Sequence, residues 1–169
     1  EKKNILKEII PYILIIISVV LIRTYIVTPV KVDGSSMFPT LKNHEVLMLK
    51  KYDHSFKRFD IVVFNYQGKR LIKRVIGLPG EYVEYRDGKL FIDGIRVREN
   101  FQINSKTEDF KLDEFNLTAI PEDSYFVVGD NRGNSKDSRI IGPINKEQIK
   151  GVTNFRVFPF NTFGEVESR

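Results

Sequence analysis

The segment Ile9–Val27, IIPYILIIISVVLIRTYIV, restricts the chain more than any other stretch. Its uncharged part, Ile9–Ile22, is short for a membrane span. Counted past Arg23, the run from Ile10 to Val27 holds 18 residues, about 27 Å of helix, close to the thickness of a bilayer's hydrocarbon. It is apolar on every side, whereas a core helix at a protein surface carries a polar stripe. The following RTYIVTPV lacks the small residues of a leader cleavage site. The segment therefore reads as an uncleaved N-terminal transmembrane helix, with Pro11 in the first turn and Arg23 reaching toward the headgroups. Lys2, Lys3 and Lys7 put its N-terminus in the cytoplasm by the positive-inside rule, although Arg23 and Lys31 on the other flank weaken the bias. The rest of the chain is then expected on the extracytoplasmic side of the cell membrane.

After Val27 the texture turns to β. TPVKVDG, EVLMLKKY, DIVVFNY, KRLIKRVIG, EYVEYRDGKLFIDGIRV, SYFVVGD and GVTNFRVFPF are rich in β-branched and aromatic residues and bounded by Gly, Asn, Asp or Pro. Asp87-Gly88 marks a tight hairpin and Asp93-Gly94 the next. Residues 101–119 are polar and acidic and read as a surface insert; only 145–151 looks briefly helical. The expected fold is mainly β: an anchor over 1–28, a β-rich core over 29–80 and 123–169, and a smaller β insert over 81–122. With 27 Lys and Arg against 22 Asp and Glu, the net charge of +5 is scattered and specifies no partner by itself. The absence of cysteine excludes thiol catalysis, disulfides and cysteine-built zinc sites, and agrees with an oxidising compartment.

Three stretches carry candidate chemistry. DGSSMFPTL (33–41) offers Ser35 and Ser36, which in an extended segment point to opposite faces; Gly34 permits a turn there. An activated serine needs a base within reach. His44 and His54 sit in charged loops without an orienting carboxylate, and both read as solvated. In RLIKRVIG, read as a strand, Leu71, Lys73 and Val75 share one face, and Ile72, Arg74 and Ile76 the other. A lysine is a base near neutrality only when desolvation lowers its pKa, and an arginine stays protonated, so Lys73 is the candidate on this strand; a solvent-facing lysine is the competing reading. VVGDNRGNSKDSRIIGP (127–143) reads as a polar loop. Asp130, Asn131 and Asp137 make a metal conceivable there, but Arg132, Lys136 and Arg139 argue against a cation, and no metal or cofactor is expected.

Taken together, the N-terminal anchor, SMFPTL (36–41), RFDIVVF (58–64), KRVIGLPGE (73–81) and GDNRGNSKDSR (129–139) resemble, in order, the type I signal peptidases, membrane-bound serine proteases that remove signal peptides from exported proteins. The resemblance implies that Ser36 is the nucleophile and Lys73 the general base. It implies that Ser135 hydrogen-bonds the lysine, that Asp137 and Arg139 form a supporting ion pair, and that Asp130 pairs with Arg74. It also implies a β-rich catalytic domain with a small β insert. Two positions depart from the pattern. Phe59 stands where the family has glycine, which suggests a changed turn. Gly34 stands where some relatives carry a serine that helps bind the oxyanion, leaving backbone donors such as the Ser36 amide.

The substrate implied is a signal peptide lying extended beside 30–36 and 71–73, with Gly34 and Leu71 among the residues that bind it and Val30, Val32 and Ile72 walling shallow pockets suited to alanine. The lipid bilayer is the other expected partner, Phe155, Phe158, Phe160 and Phe163 reading either as a lipid-facing patch or as core; nucleic acid is not expected. Two rivals remain: a self-cleaving repressor, which would carry a DNA-binding module where the apolar run stands, and a non-catalytic membrane module that binds exported or assembling proteins.

Overall fold

The computed structural model describes residues 5–25, 27–51 and 55–166. His54, Lys2 and Lys3 lie outside them. Helix α1 spans Ile5–Tyr25. It begins before the apolar run, so Pro11 lies inside the helix and not in its first turn. It also stops short of Val27, which opens strand β1 (Val27–Lys31). The switch has a local cause: Val27 and Thr28 are β-branched, and Pro29 pushes the residue before it out of the helical region. Every side chain described on α1, residues 7–21, is exposed. That stretch is about 22 Å of helix, and among the described residues no helix is long and apolar enough to cross a membrane.

The body is built from antiparallel strands. β2 (Val46–Lys50), β3 (Ile61–Tyr66) and β4 (Lys69–Gly77) follow β1. Then come β5 (Val83–Arg86), β6 (Lys89–Ile92), β7 (Ile95–Val97) and β8 (Phe110–Lys111). β9 (Ser124–Val128), the short helix α2 (Ser138–Ile141), β10 (Ile144–Asn145), β11 (Ile149–Phe158) and β12 (Gly164–Glu165) complete the order. One sheet runs β1-β2-β11-β3-β4-β9-β10, with β12 added on β11; the other runs β7-β6-β5-β8.

Both Asp-Gly pairs make the turns read from the sequence. Asp87 and Gly88 take φ of 52° and 76°, Asp93 and Gly94 51° and 78°, the left-handed pairs that suit a two-residue hairpin. Gln67-Gly68 does the same between β3 and β4, without the sequence signature that marked the other two.

The larger sheet buries both faces. Val30, Val32, Leu47, Leu49, Val63 and Ile72 form one cluster; Val62, Phe64, Val75, Val127 and Val152 belong to another. A third cluster joins Ile76, Phe126 and Val128 to Val83, Tyr85 and Phe110 of the smaller sheet. The stretch 101–119 is not merely a surface insert: Phe101, Thr107, Phe110 and Leu112 are buried, and its first residues strap the loop after β9. Helix α2, inside a stretch read as loop, is a single turn capped by the Asp137 side chain, which accepts from the Arg139 amide. One turn is too short to show a hydrophobic period.

Candidate active site

The alternation along β4 decides what each basic side chain meets. Lys73 lies opposite Val62 and Arg74 opposite Ile61 on β3. Leu71 and Val75 pack with one cluster and Ile72 with the other, so Lys73 lies on the Leu71 side and Arg74 on the Ile72 side. Lys73 is 2% exposed. Its Nζ lies 2.5 Å from Ser36 Oγ and donates to the Ile72 carbonyl at 3.0 Å. Burial lowers its pKa from 10.5 to about 8, and the negative charges of Asp137 and Asp130 offset part of that drop. At pH 7 roughly a tenth of the amine is then neutral, against well under a thousandth for an ordinary lysine.

The turn after β1 separates the two serines. Gly34 has φ +94°, a region where a side chain is strained, and its amide donates to Asn43 Oδ1. Ser35 is exposed and its hydroxyl accepts from Asn134 Nδ2 at 3.2 Å. Ser36, half-buried, turns to Lys73. Thr40, at the end of the turn, donates to Asp130 Oδ2 at 2.5 Å. His44 is exposed and contacts Asn43.

The loop 129–139 closes the site from the other side. Asp130 and Arg74 are fully buried and joined by two bonds, Nε to Oδ1 at 2.9 Å and a terminal nitrogen to Oδ2 at 2.6 Å. Arg74 also donates to the Phe59 carbonyl and lies over the Phe101 ring at 3.9 Å. Asp137, fully buried, accepts from Arg139 and from the Gly129 amide. Both carboxylates are therefore held by an arginine. Ser135 Oγ is buried but makes no hydrogen bond; the bond to Lys73 implied by the resemblance is not formed here. It nevertheless lies at the site, because a Cβ on Gly129 would collide with both Ser135 Oγ and the Ser36 carbonyl.

Phe59 stands in a left-handed turn. It takes φ 74°, the conformation glycine adopts freely, and its ring packs edge-on against Phe101 at 5.3 Å.

The expected substrate residues divide. Val30, Val32 and Ile72 share one cluster, at 1%, 3% and 7% exposure, and form an apolar floor. Leu71 points to the opposite face, so its side chain does not line that floor; the period of two carries it away from Ile72. Within the larger sheet β1 is terminal, and β9 pairs with β4 only from Arg74 onward. Two backbone edges, along 27–31 and 69–73, are thus left without a second strand among the described residues. A cavity of about 350 Å³ lies behind the turn, lined by Pro39, Thr40, Glu45 and Arg156 among others, and neither Ser36 nor Lys73 lines it. The site offers two open strand edges. Such an arrangement can add an extended peptide as a strand and present a carbonyl to a hydroxyl beside a neutral amine.

Reading the sequence alone missed Thr40, Asn104 and Arg132. Arg132 is buried and donates to Gly129 O, Thr107 Oγ1 and Glu99, tying the insert to this loop. It lies inside GDNRGNSKDSR, but an arginine between two turn residues is a pattern a solvated loop shares.

Comparison with known proteins points to one family. The family model described as "Signal peptidase, peptidase S26" matches residues 3–158. "Signal peptidase I S" of Bacillus subtilis is 41% identical, covering 95% of this chain and 93% of that protein. "Signal peptidase I" of Bacillus amyloliquefaciens is 42% identical, covering 88% and 85%. A crystal structure of a signal peptidase I from Enterococcus faecalis superposes with a TM-score of 0.53 at 41% identity, covering 58% of this chain and 96% of that one.

Proposed function

The chain belongs to the signal peptidase family, peptidase S26, and from that premise we propose that it is a serine endopeptidase that cleaves signal peptides from preproteins, with Ser36 as nucleophile and Lys73 as general base. The single observation that carries the catalytic assignment is the 2.5 Å approach of a buried amine to Ser36 Oγ, with no carboxylate bonded to that amine among the described residues.

Neutral Lys73 takes the proton of Ser36 Oγ as the oxygen attacks the scissile carbonyl. The oxyanion that forms is met by backbone donors. The Ser36 amide suits this role, since among the described residues it donates to nothing else. The protonated Lys73 then gives its proton to the leaving amine, and a water activated by the same lysine releases the acyl group. Asp130 with Arg74, and Asp137 with Arg139, brace the loops that hold the pair. Ser135 would orient the amine if its hydroxyl turned toward Nζ. The substrate lies between the open edges of β1 and β4, over Val30, Val32 and Ile72; Gly34 leaves room beside it, since a Cβ there would meet nothing within 4 Å. Residues 29–80 and 123–169 then act as the catalytic core and 81–122 as its insert.

The exposed apolar face of α1 is the basis for placing the protein at the cell membrane by residues 1–28, with the catalytic body extracytoplasmic. Phe158, Phe160 and Phe163, all exposed, face the solvent in the same way. An anchored enzyme meets membrane-held signal peptides at high effective concentration.

The test is cleavage of a preprotein by purified wild type, Ser36→Ala and Lys73→Ala, with the new N-terminus sequenced. Wild type is expected to cut at one site and both variants to lose about 10³-fold or more in kcat. Near-normal turnover by Lys73→Ala would sink the assignment. The acidic limb of the pH–rate profile is expected near 8, not near 10.

A further inference from the structure

The Ser36 amide is useful as an oxyanion donor only if its N–H points the right way. Gly34 has no side chain to share the task. The N–H of Ser36 and the C=O of Ser35 belong to one rigid peptide plane, so whatever holds that carbonyl aims that amide. Ser35 O accepts twice: from the Phe38 amide at 3.0 Å inside the turn, and from Asn131 Nδ2 at 3.1 Å. The following plane is held as well, because the Asn131 amide donates to Ser36 O at 3.0 Å.

A carboxamide can sit either way round, and only one way serves here. Asn131 Oδ1 accepts from Asn104 Nδ2 at 3.0 Å. This leaves Nδ2 facing Ser35 O; the reverse would set two acceptors, Oδ1 and Ser35 O, against each other. Asn104 is in turn fixed by its own amide, which donates to Asp130 O at 3.1 Å, and the strap is tied again where the Gly133 amide donates to Ser105 Oγ.

We propose that Asn104 and Asn131 are positioning residues of the oxyanion hole: Asn104, on the insert, sets the orientation of the Asn131 carboxamide, which pins the Ser35–Ser36 peptide plane and aims the Ser36 amide at the reacting carbonyl. Two bonds accepted at one end of a peptide also polarise the donor at its other end. The inference rests on the peptide-cleaving reading and gives the insert a part in the chemistry.

The experiment uses the full chain in detergent and a peptide spanning a cleavage site. Asn104 is exposed and keeps its backbone bond to Asp130 in any side-chain variant, so folding, followed by thermal melting, is expected to survive. Asn104→Ala frees the carboxamide and is expected to lower kcat about 3- to 10-fold. Asn104→Asp sets an acceptor against Oδ1, turns the carboxamide over and is expected to lower kcat about 30- to 100-fold; removing an oxyanion donor outright costs about 10²- to 10³-fold. KM is expected to stay within about twofold, because the interaction is made in the transition state. The acidic limb of the pH–rate profile is expected to stay in place, since Lys73 is untouched.

A peptide aldehyde, which forms a tetrahedral adduct with Ser36, is expected to lose affinity in proportion to kcat/KM. The matching peptide alcohol, which forms none, is expected to bind as before. Unchanged kcat in Asn104→Asp would overturn the inference. So would parallel loss of aldehyde and alcohol binding, which would mean the strap shapes the groove instead. Failure of the wild type to cleave any peptide would overturn the peptidase reading itself, and this inference with it.

Discussion

Lys73 and Arg74 are consecutive, both basic and both almost wholly buried, yet the two faces of β4 treat them in opposite ways. On one face the amine meets a hydroxyl and a carbonyl, and the nearest negative charges act only at a distance. On the other, the guanidinium meets the Asp130 carboxylate through two bonds, a third bond to Phe59 O and the ring of Phe101. Burial among neutral partners makes a base. Burial against a carboxylate makes a strut. The same strand supplies both because the side-chain period is two.

The largest expected effect comes from exchanging the two chemistries. Lys73→Arg keeps a buried cation but one that cannot give up its proton, so kcat is expected to fall about 10³- to 10⁴-fold, as in Lys73→Met. Measurable cleavage by Lys73→Arg at a tenth of the wild-type rate would break the contrast.

Next comes the strut. Arg74→Met leaves Asp130 buried without its partner and is expected to cost about 3–5 kcal/mol of stability. Lys73→Met, which removes a desolvated amine, is expected to cost little or to stabilise. Urea unfolding of the two variants side by side checks this, and equal destabilisation would contradict it.

The pH dependence of stability sharpens the difference further. The Lys73 amine titrates near 8 folded and near 10.5 unfolded, so between those values the unfolded chain binds more protons and stability rises with pH. The penalty for burying the cation is present in full below about pH 8 and disappears above about 10.5, a gain of about 3 kcal/mol at most. Lys73→Met is expected to lack this rise, which wild-type and variant unfolding curves across that window would reveal.

The smallest effect concerns Asp137, whose charge raises the Lys73 pKa. Asp137→Asn is expected to move the acidic limb of the pH–rate profile below about 8. A shift upward would mean that something other than Asp137 governs the amine.

Much of this was legible in the residues. Both Asp-Gly turns, the sorting of β4 into two faces and the exclusion of Arg74 as a base followed from local rules. The reach of α1 past Pro11, the helix after Asp137 and the strap at 101–107 did not. A proline in a helix is a tolerated exception to its own rule, a one-turn helix has no period, and scattered apolar residues in a polar stretch do not say what they pack against. Leu71 belongs to the 71–73 edge by its backbone, while its side chain packs on the face opposite Ile72.

By itself the sequence determined which chemistry was available: no thiol, Lys73 set between Leu71 and Val75 on one strand face, and glycines where a turn must form. Composition and short-range period carry those facts, since they depend only on neighbours. The residues' own pattern left Ser35 and Ser36 open and the resemblance chose Ser36; the tertiary structure alone brings its hydroxyl to Lys73, 37 residues away, and Asn131 to the Ser35 carbonyl across 96. Such pairings are chosen when distant loops close on one another, and a hydroxyl or carboxamide in a turn looks the same in the sequence whichever partner it finds.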